Sequence, residues 1–178
     1  MDATLAAGLL VLRVIFGLTV AAHGAQKLFG WFGGPGIERF GGMLEQLGLV
    51  PASKWSWVAA LAEFGGGLLV ALGLLSPIGN FLVIGGMLTA ILLVHLRKGF
   101  FNAKGGMELP FLIAAGVLGL SLTGPGAWSL DAVWRVRLPE PATWLACAVL
   151  TLLGVALAIG VRATRTANVP RQARGAAS

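Results

Sequence analysis

The sequence predicts an all-α fold, a polytopic membrane helix bundle. Three observations predict it. Of 178 residues, 57% are hydrophobic and only 11% charged, with mean hydropathy +0.86. A soluble domain of this length needs far more polar surface, since such domains carry about 25% charged residues. The apolar residues gather into five runs, and the basic residues gather between and after those runs on one side.

The first run, about residues 5–24, has Asp2 as its only charge before Arg13. That is the wrong flank for a cleaved signal peptide, so it reads as a retained span. The second covers residues 57–75 and is interrupted only by Glu63. The third, residues 78–96, follows the hairpin Ser76-Pro77, where proline restricts its own φ and the residue before it. The fourth, about 108–123, is short and opens with Pro110 in the tolerated first turn. The fifth, 142–161, has the length of a full span, since about 20 residues cross the hydrocarbon.

Between the first two spans, Ile37, Phe40, Leu44 and Leu47 recur at helical spacing among Glu38, Arg39, Glu45 and Gln46. This predicts an interfacial amphipathic helix over about 36–48. Residues 1–162 form the bundle, and the basic stretch 163–178 reads as a disordered tail.

With five spans, Lys27, Arg39, Lys54, Arg97, Lys98, Lys104, Arg162, Arg165, Arg171 and Arg174 fall on one side, and Arg135 and Arg137 on the other. The positive-inside rule then sets the N-terminus outside and the C-terminus in the cytoplasm of a cell inner (plasma) membrane. Without the fifth span the count becomes six against six, so the charges argue for that span independently of hydropathy. Trp31, Trp55 and Trp57 flank one side and Trp128, Trp134 and Trp144 the other, as interfacial aromatics do. The net charge of +6 serves anionic lipid headgroups and topology. No Lys/Arg cluster with interleaved aromatics points to nucleic acid.

Ionisable groups inside hydrocarbon cost about 2.5–3.5 kcal/mol on insertion scales. Two stand within spans, Arg13 and Glu63. At 1.5 Å per residue they lie about 15 Å and about 9 Å from the cytoplasmic interface, within reach of each other as an ion pair. A candidate polar pocket at the cytoplasmic side comprises Arg13, His23, Gln26, Lys27, Glu63, His95, Lys104 and Glu108. Arg13, Val20, His23 and Lys27 share one broad face of the first helix. His and Glu suit proton transfer; Lys and Arg suit an anion or a quinone oxygen. Each member has a plainer reading. The lysines serve topology and snorkel, Glu108 serves a helix dipole, the histidines cap at the interface, and the ion pair locks two helices.

Neither haem nor metal is expected. The two histidines sit near the interface, and no ligand spacing is present. Cys147 is the single cysteine, so an intrachain dithiol is ruled out.

Several segments together resemble the DoxX family. They are Leu9-Leu10-Val11-Leu12-Arg13 through Gly17, His23-Gly24 with Lys27-Leu28, and Ala62-Glu63-Phe64-Gly65-Gly66-Gly67 through Leu75. Lys104-Gly105-Gly106 with Glu108, and Gly124-Pro125-Gly126-Ala127-Trp128-Ser129-Leu130-Asp131, complete the set. The resemblance covers about residues 5–131 and implies a four-helix membrane core, to which the fifth span is an addition. Family members include a subunit of a thiosulfate:quinone oxidoreductase. Another is a membrane protein associated with a superoxide dismutase and a sulfurtransferase in thiol homeostasis. The family's polar pattern falls on Arg13, His23, Lys27, Glu63 and Glu108.

The expectation is a membrane subunit or anchor of a thiol/sulfur or quinone-linked redox system, with a soluble cytoplasmic redox partner. Quinone is the cofactor class it implies. At most the chain is a subunit of an oxidoreductase, because it shows no self-contained catalytic constellation. The alternative is a non-catalytic scaffold or a protein that binds lipid or a small solute. A transporter is disfavoured by the absence of an inverted repeat.

Overall fold

The computed structural model describes residues 2–168. Among these the fold is all-α, as its hydropathy predicts: α1 (Ala3–Phe29), α2 (Gly36–Gln46), α3 (Ala52–Leu72), α4 (Ser76–Ala90), α5 (Glu108–Thr123), the single turn α6 (Leu130–Val133) and α7 (Ala142–Asn168). α4 continues as a π-helical turn, Ile91–His95, and a 3-10 turn, Leu96–Lys98. Ala3–Phe29, Ala52–Leu72, Ser76–Lys98 and Ala142–Arg165 are long and apolar enough to cross a membrane. α5 is apolar but has only 16 residues, short of the roughly 30 Å hydrocarbon thickness.

α1, α3, α4 and α5 make the four-helix core. All four contribute to one buried cluster: Leu9 and Val20, Val70, then Phe81, Val83, Ile84 and Met87, and Ile113, Val117 and Leu120. α7 lies outside this core against α4. The rings of Trp144 and Phe81 meet edge to face with centroids 5.1 Å apart, and Thr151 donates to the Phe81 carbonyl at 3.3 Å. The opposite face of α7 turns outward; Leu145, Val149, Leu150, Leu152, Leu153 and Leu157 are exposed. Exposed leucines along α1 (Leu5, Leu12, Leu18) do the same. Such apolar belts are stable against lipid chains and not against water.

The α1–α3 interface has no room for side chains. A Cβ at Gly17 would fall on the backbone of Gly67 and Ala71, one at Gly67 on Ala21, and one at Gly24 on Phe64. Small residues permit backbone contact of this kind between membrane helices. The three contacts also set the register, because each step back along α1 matches a step forward along α3.

α1 is longer than its apolar run, ending where Gly30 takes φ 73. Ala21, Gly24, Ala25 and Leu28 continue its buried stripe past His23 and Lys27. α7 also continues beyond Arg162, where the sequence predicted the tail to begin. The remainder of that predicted tail, from residue 169, lies outside the described residues.

Candidate functional site

Two polar centres occupy opposite ends of the bundle. At the first, Lys27 Nζ donates to both carboxylate oxygens of Glu63. The Glu63 side chain is 4% exposed and that of Lys27 24%. Glu63 packs against Gly86 of α4, where an added Cβ would make an ordinary van der Waals contact with Glu63 Cγ at 3.5 Å. The third N–H of Lys27 faces the ring of Phe40, whose centroid is 4.9 Å from Nζ. Phe40 and Leu44 are the buried residues of α2, so this helix lies as a cover over the pair. Leu28, Leu49, Ala60, Leu93 and Ala158 pack around it. Burial in low dielectric strengthens the attraction, and the pair cancels its own charge.

The expected Arg13–Glu63 pair does not form. The α1–α3 register continues from Gly17 to set Arg13 against Gly73, ten residues beyond Glu63. Along α1, Arg13 and Lys27 are about 21 Å apart at 1.5 Å per residue. Arg13 is buried and donates through Nη2 to the Trp128 carbonyl at 2.6 Å. Its Nε and Nη1 have no hydrogen-bond partner among the described residues.

Beside it, Asp131 completes the second centre. Its Oδ1 accepts from Leu75 N at 2.8 Å and its Oδ2 from Ser76 N at 3.0 Å. Asp131 N in turn donates to the Gly73 carbonyl at 3.0 Å. A carboxylate thereby caps the N-terminus of α4, where the helix dipole favours negative charge. Ser129, the N-cap of α6, accepts from Ala132 N and holds this segment in place.

The remaining members of the predicted pocket scatter. His23 is exposed, and its Nδ1 bonds to the Thr19 carbonyl at 2.8 Å. It therefore faces away from Glu63, and the broad face expected to join Arg13, Val20, His23 and Lys27 does not exist as one surface. Gln26 is half-buried and packs beneath Gly34. His95 Nδ1 bonds to the Gly105 carbonyl at 2.7 Å. A carbonyl only accepts, so both histidines carry their proton on Nδ1 in these contacts. Glu108 Oε2 accepts from Asn102 N at 2.9 Å; it shapes the loop before α5. Lys104 is exposed. Of the eight residues, only Lys27 and Glu63 meet.

Sequence reasoning missed Asp131 as a cap and Arg162 as a clamp. Arg162 Nη1 donates to the Leu93 carbonyl at 2.9 Å. A π-turn displaces the ordinary backbone pattern, and turns of this kind frequently mark functional segments. Nothing in the sequence around Leu93 signals that turn. Asp131 did carry a signal, as the end of the Gly124–Asp131 segment.

The family model for DoxX matches residues 8–96, from α1 into the 3-10 turn after α4. The chain belongs to the DoxX family. Arg13, Lys27, Glu63 and His95 fall within the DoxX match, whereas Glu108, Asp131 and α7 lie beyond it. Among DoxX-like relatives, "Putative oxidoreductase CatD" of Bacillus subtilis (strain 168) is 35% identical over 124 residues, 70% of this chain and 84% of that protein. "Inner membrane protein YqjF" of Escherichia coli (strain K12) is 33% identical over 128 residues, 70% of this chain and 89% of that one. "Uncharacterized membrane protein Rv3486" of Mycobacterium tuberculosis (strain ATCC 25618 / H37Rv) is 30% identical over 143 residues, covering 74% and 82% respectively. No solved structure matches the chain. The chain is thus a DoxX membrane protein, with several apolar helices in contact with lipid.

Proposed function

We propose that this protein is a membrane subunit or anchor of a redox system, thiol/sulfur- or quinone-linked, that works with a soluble partner at its Lys27 end. The observation that carries the reading is the Lys27–Glu63 pair, an acid and a base held together inside the bundle beneath the 11-residue helix α2. Redox chemistry at a membrane needs protons delivered with electrons, and such a pair holds one at Nζ or at Oε. The name of the relative CatD supports the same direction. With Cys147 as the single cysteine, thiols for exchange come from the partner.

Quinone is the cofactor class this reading names. The donor set fits one requirement: the third N–H of Lys27 is spent only on the Phe40 ring, so a carbonyl oxygen replacing that contact finds a donor. When bound, a quinone would supply two-electron acceptor chemistry. The chain's own part is to donate at Nζ, to hold the proton at Glu63, and to exclude water through Phe40 and Leu44.

We assign the Lys27 end to the cytoplasm and place the protein in the cell inner (plasma) membrane. The charge count supports this. Lys27, Arg39, Lys54, Arg97, Lys98, Lys104, Arg162 and Arg165 belong to that end, while Arg135 and Arg137 belong to the other.

A second reading is favoured by the bidentate contact itself. Both Glu63 oxygens are occupied by Lys27, as a purely structural lock between α1 and α3 requires, and the protein would then be a scaffold. Membrane vesicles from cells lacking the protein, complemented with wild type or with Glu63→Gln paired with Lys27→Met, separate the two. The redox reading expects a folded double variant whose vesicles reduce quinone poorly. Wild-type reduction by that folded variant would overturn it.

A further inference from the structure

A cavity of roughly 680 Å³ opens at the Trp128 end, between the start of α4, the end of α5 and the start of α7. Its size is that of a small-molecule site, which spans about 300–1,000 Å³. Pro77, Leu122, Val136, Leu138, Pro141 and Trp144 give it largely apolar walls.

Most polar groups around it are already committed. The Asp131 oxygens accept from Leu75 N and Ser76 N, the Trp144 indole N–H donates to Ser121 Oγ at 2.9 Å, and Thr123 Oγ1 donates to Gly119 O. Two buried side chains are not. Asn80 is 4% exposed and Ser76 6%; both line the cavity, and neither side chain has a hydrogen bond among the described residues. They stand four residues apart on α4, so they are neighbours on one face. Among the described residues only Arg13 has unpaired side-chain atoms fully sealed in protein, so the polar atoms of Ser76 and Asn80 are open to the cavity and within reach of what fills it.

We propose that this cavity binds a small, uncharged, largely apolar molecule whose carbonyl or hydroxyl group pairs with the Asn80 carboxamide and the Ser76 hydroxyl. An amide offers both donors and acceptors, which suits a ketone, a phenol or an alcohol. The charge pattern disfavours an ionic ligand: the Asp131 carboxylate is offset by the Arg13 guanidinium and held by the backbone donors it caps, and Arg137 and Glu140 at the rim are of opposite sign. The site is independent of the redox reading, because it lies at the other end of the bundle from Lys27 and Glu63.

Benzophenone is a direct probe. It is an uncharged aryl ketone of suitable size and inserts into nearby C–H bonds on irradiation. The intact protein in nanodiscs is irradiated with increasing benzophenone, and adducts are mapped by mass spectrometry. The proposal expects saturable labelling at Leu122 and across Val136–Leu138. Asn80→Leu should weaken the half-saturation concentration about fivefold, as the loss of a neutral hydrogen bond does. Leu138→Trp, which fills the mouth and leaves Asn80 in place, should abolish labelling, and it carries the test if Asn80→Leu does not fold. Labelling that never saturates and falls only on the outward faces of α1 and α7 means partition into lipid, and overturns the proposal. Unchanged labelling of Asn80→Leu overturns it as well.

Discussion

Lys27 and Glu63 meet across the α1–α3 interface, and Lys27 spends its remaining N–H on the ring of Phe40. The fully buried cation of α1, Arg13, belongs to a separate centre on the Trp128 carbonyl. The bundle therefore carries two polar locks, one at each end. The first is a self-neutralising pair beneath α2. The second joins α1 to the turn between α3 and α4 through the Trp128–Asp131 segment.

The first lock depends on glycine. Gly17→Val would drive a branched side chain into the backbone of Gly67 and Ala71, forcing α1 and α3 apart. Loss of the folded monodisperse species in size-exclusion chromatography is expected. Gly119→Ala, with nothing within 4 Å of the added carbon, should instead be neutral or gain about 0.5–1 kcal/mol, the usual gain of alanine over glycine in a helix.

At the second lock, Asp131→Ala strips the acceptor from two backbone N–H groups at the start of α4. Each donor left bare costs about 1–3 kcal/mol. The expected result is a lower melting temperature, with faster hydrogen exchange at Leu75 and Ser76 than in α5. Uniform exchange across the bundle would contradict a local cap.

A Cβ added to Gly73 would overlap Nη1 of the Arg13 guanidinium, and Gly73 holds φ at 62. Gly73→Ala adds a carbon against Arg13 at a conformation that L side chains rarely adopt. It should destabilise more than Gly119→Ala does in the same thermal assay. Because the added carbon meets Arg13, Arg13→Met in the Gly73→Ala background should recover part of the loss.

Arg162→Met removes the donor on the Leu93 carbonyl. The expected consequence is faster hydrogen exchange through Ile91–His95 and the last turns of α7, with α1 and α3 unchanged. Equal protection in variant and wild type would show that the π-turn does not need this clamp.

The helical class and the apolar runs were legible because hydropathy and charge asymmetry report directly on the membrane as solvent. The pairing of charges was not. Depth counted from the ends of apolar runs made Arg13 a partner for Glu63, but α1 runs on to Phe29 and α3 begins at Ala52. Register came from Gly17, Gly24 and Gly67, whose sequence shows only that backbones can approach, and not which turn meets which. His23 shares the helix with Lys27 yet lies on its exposed side. Asn80 was hidden inside an apolar run, where a single short amide barely lowers hydropathy. It became visible only as a buried group lining a cavity.

A double-mutant cycle at the first lock tests the account most directly. Thermal unfolding in nanodiscs is measured for wild type, Lys27→Met, Glu63→Gln and the two combined. Each single change strands the opposite partner in hydrocarbon, and Lys27→Met, which leaves the Glu63 charge buried, should cost about 3–5 kcal/mol. The combined variant should be more stable than Lys27→Met alone, giving a strong coupling between the two sites. Additive losses, or a coupling of Glu63 to Arg13 in the parallel cycle with Arg13→Met, would contradict it.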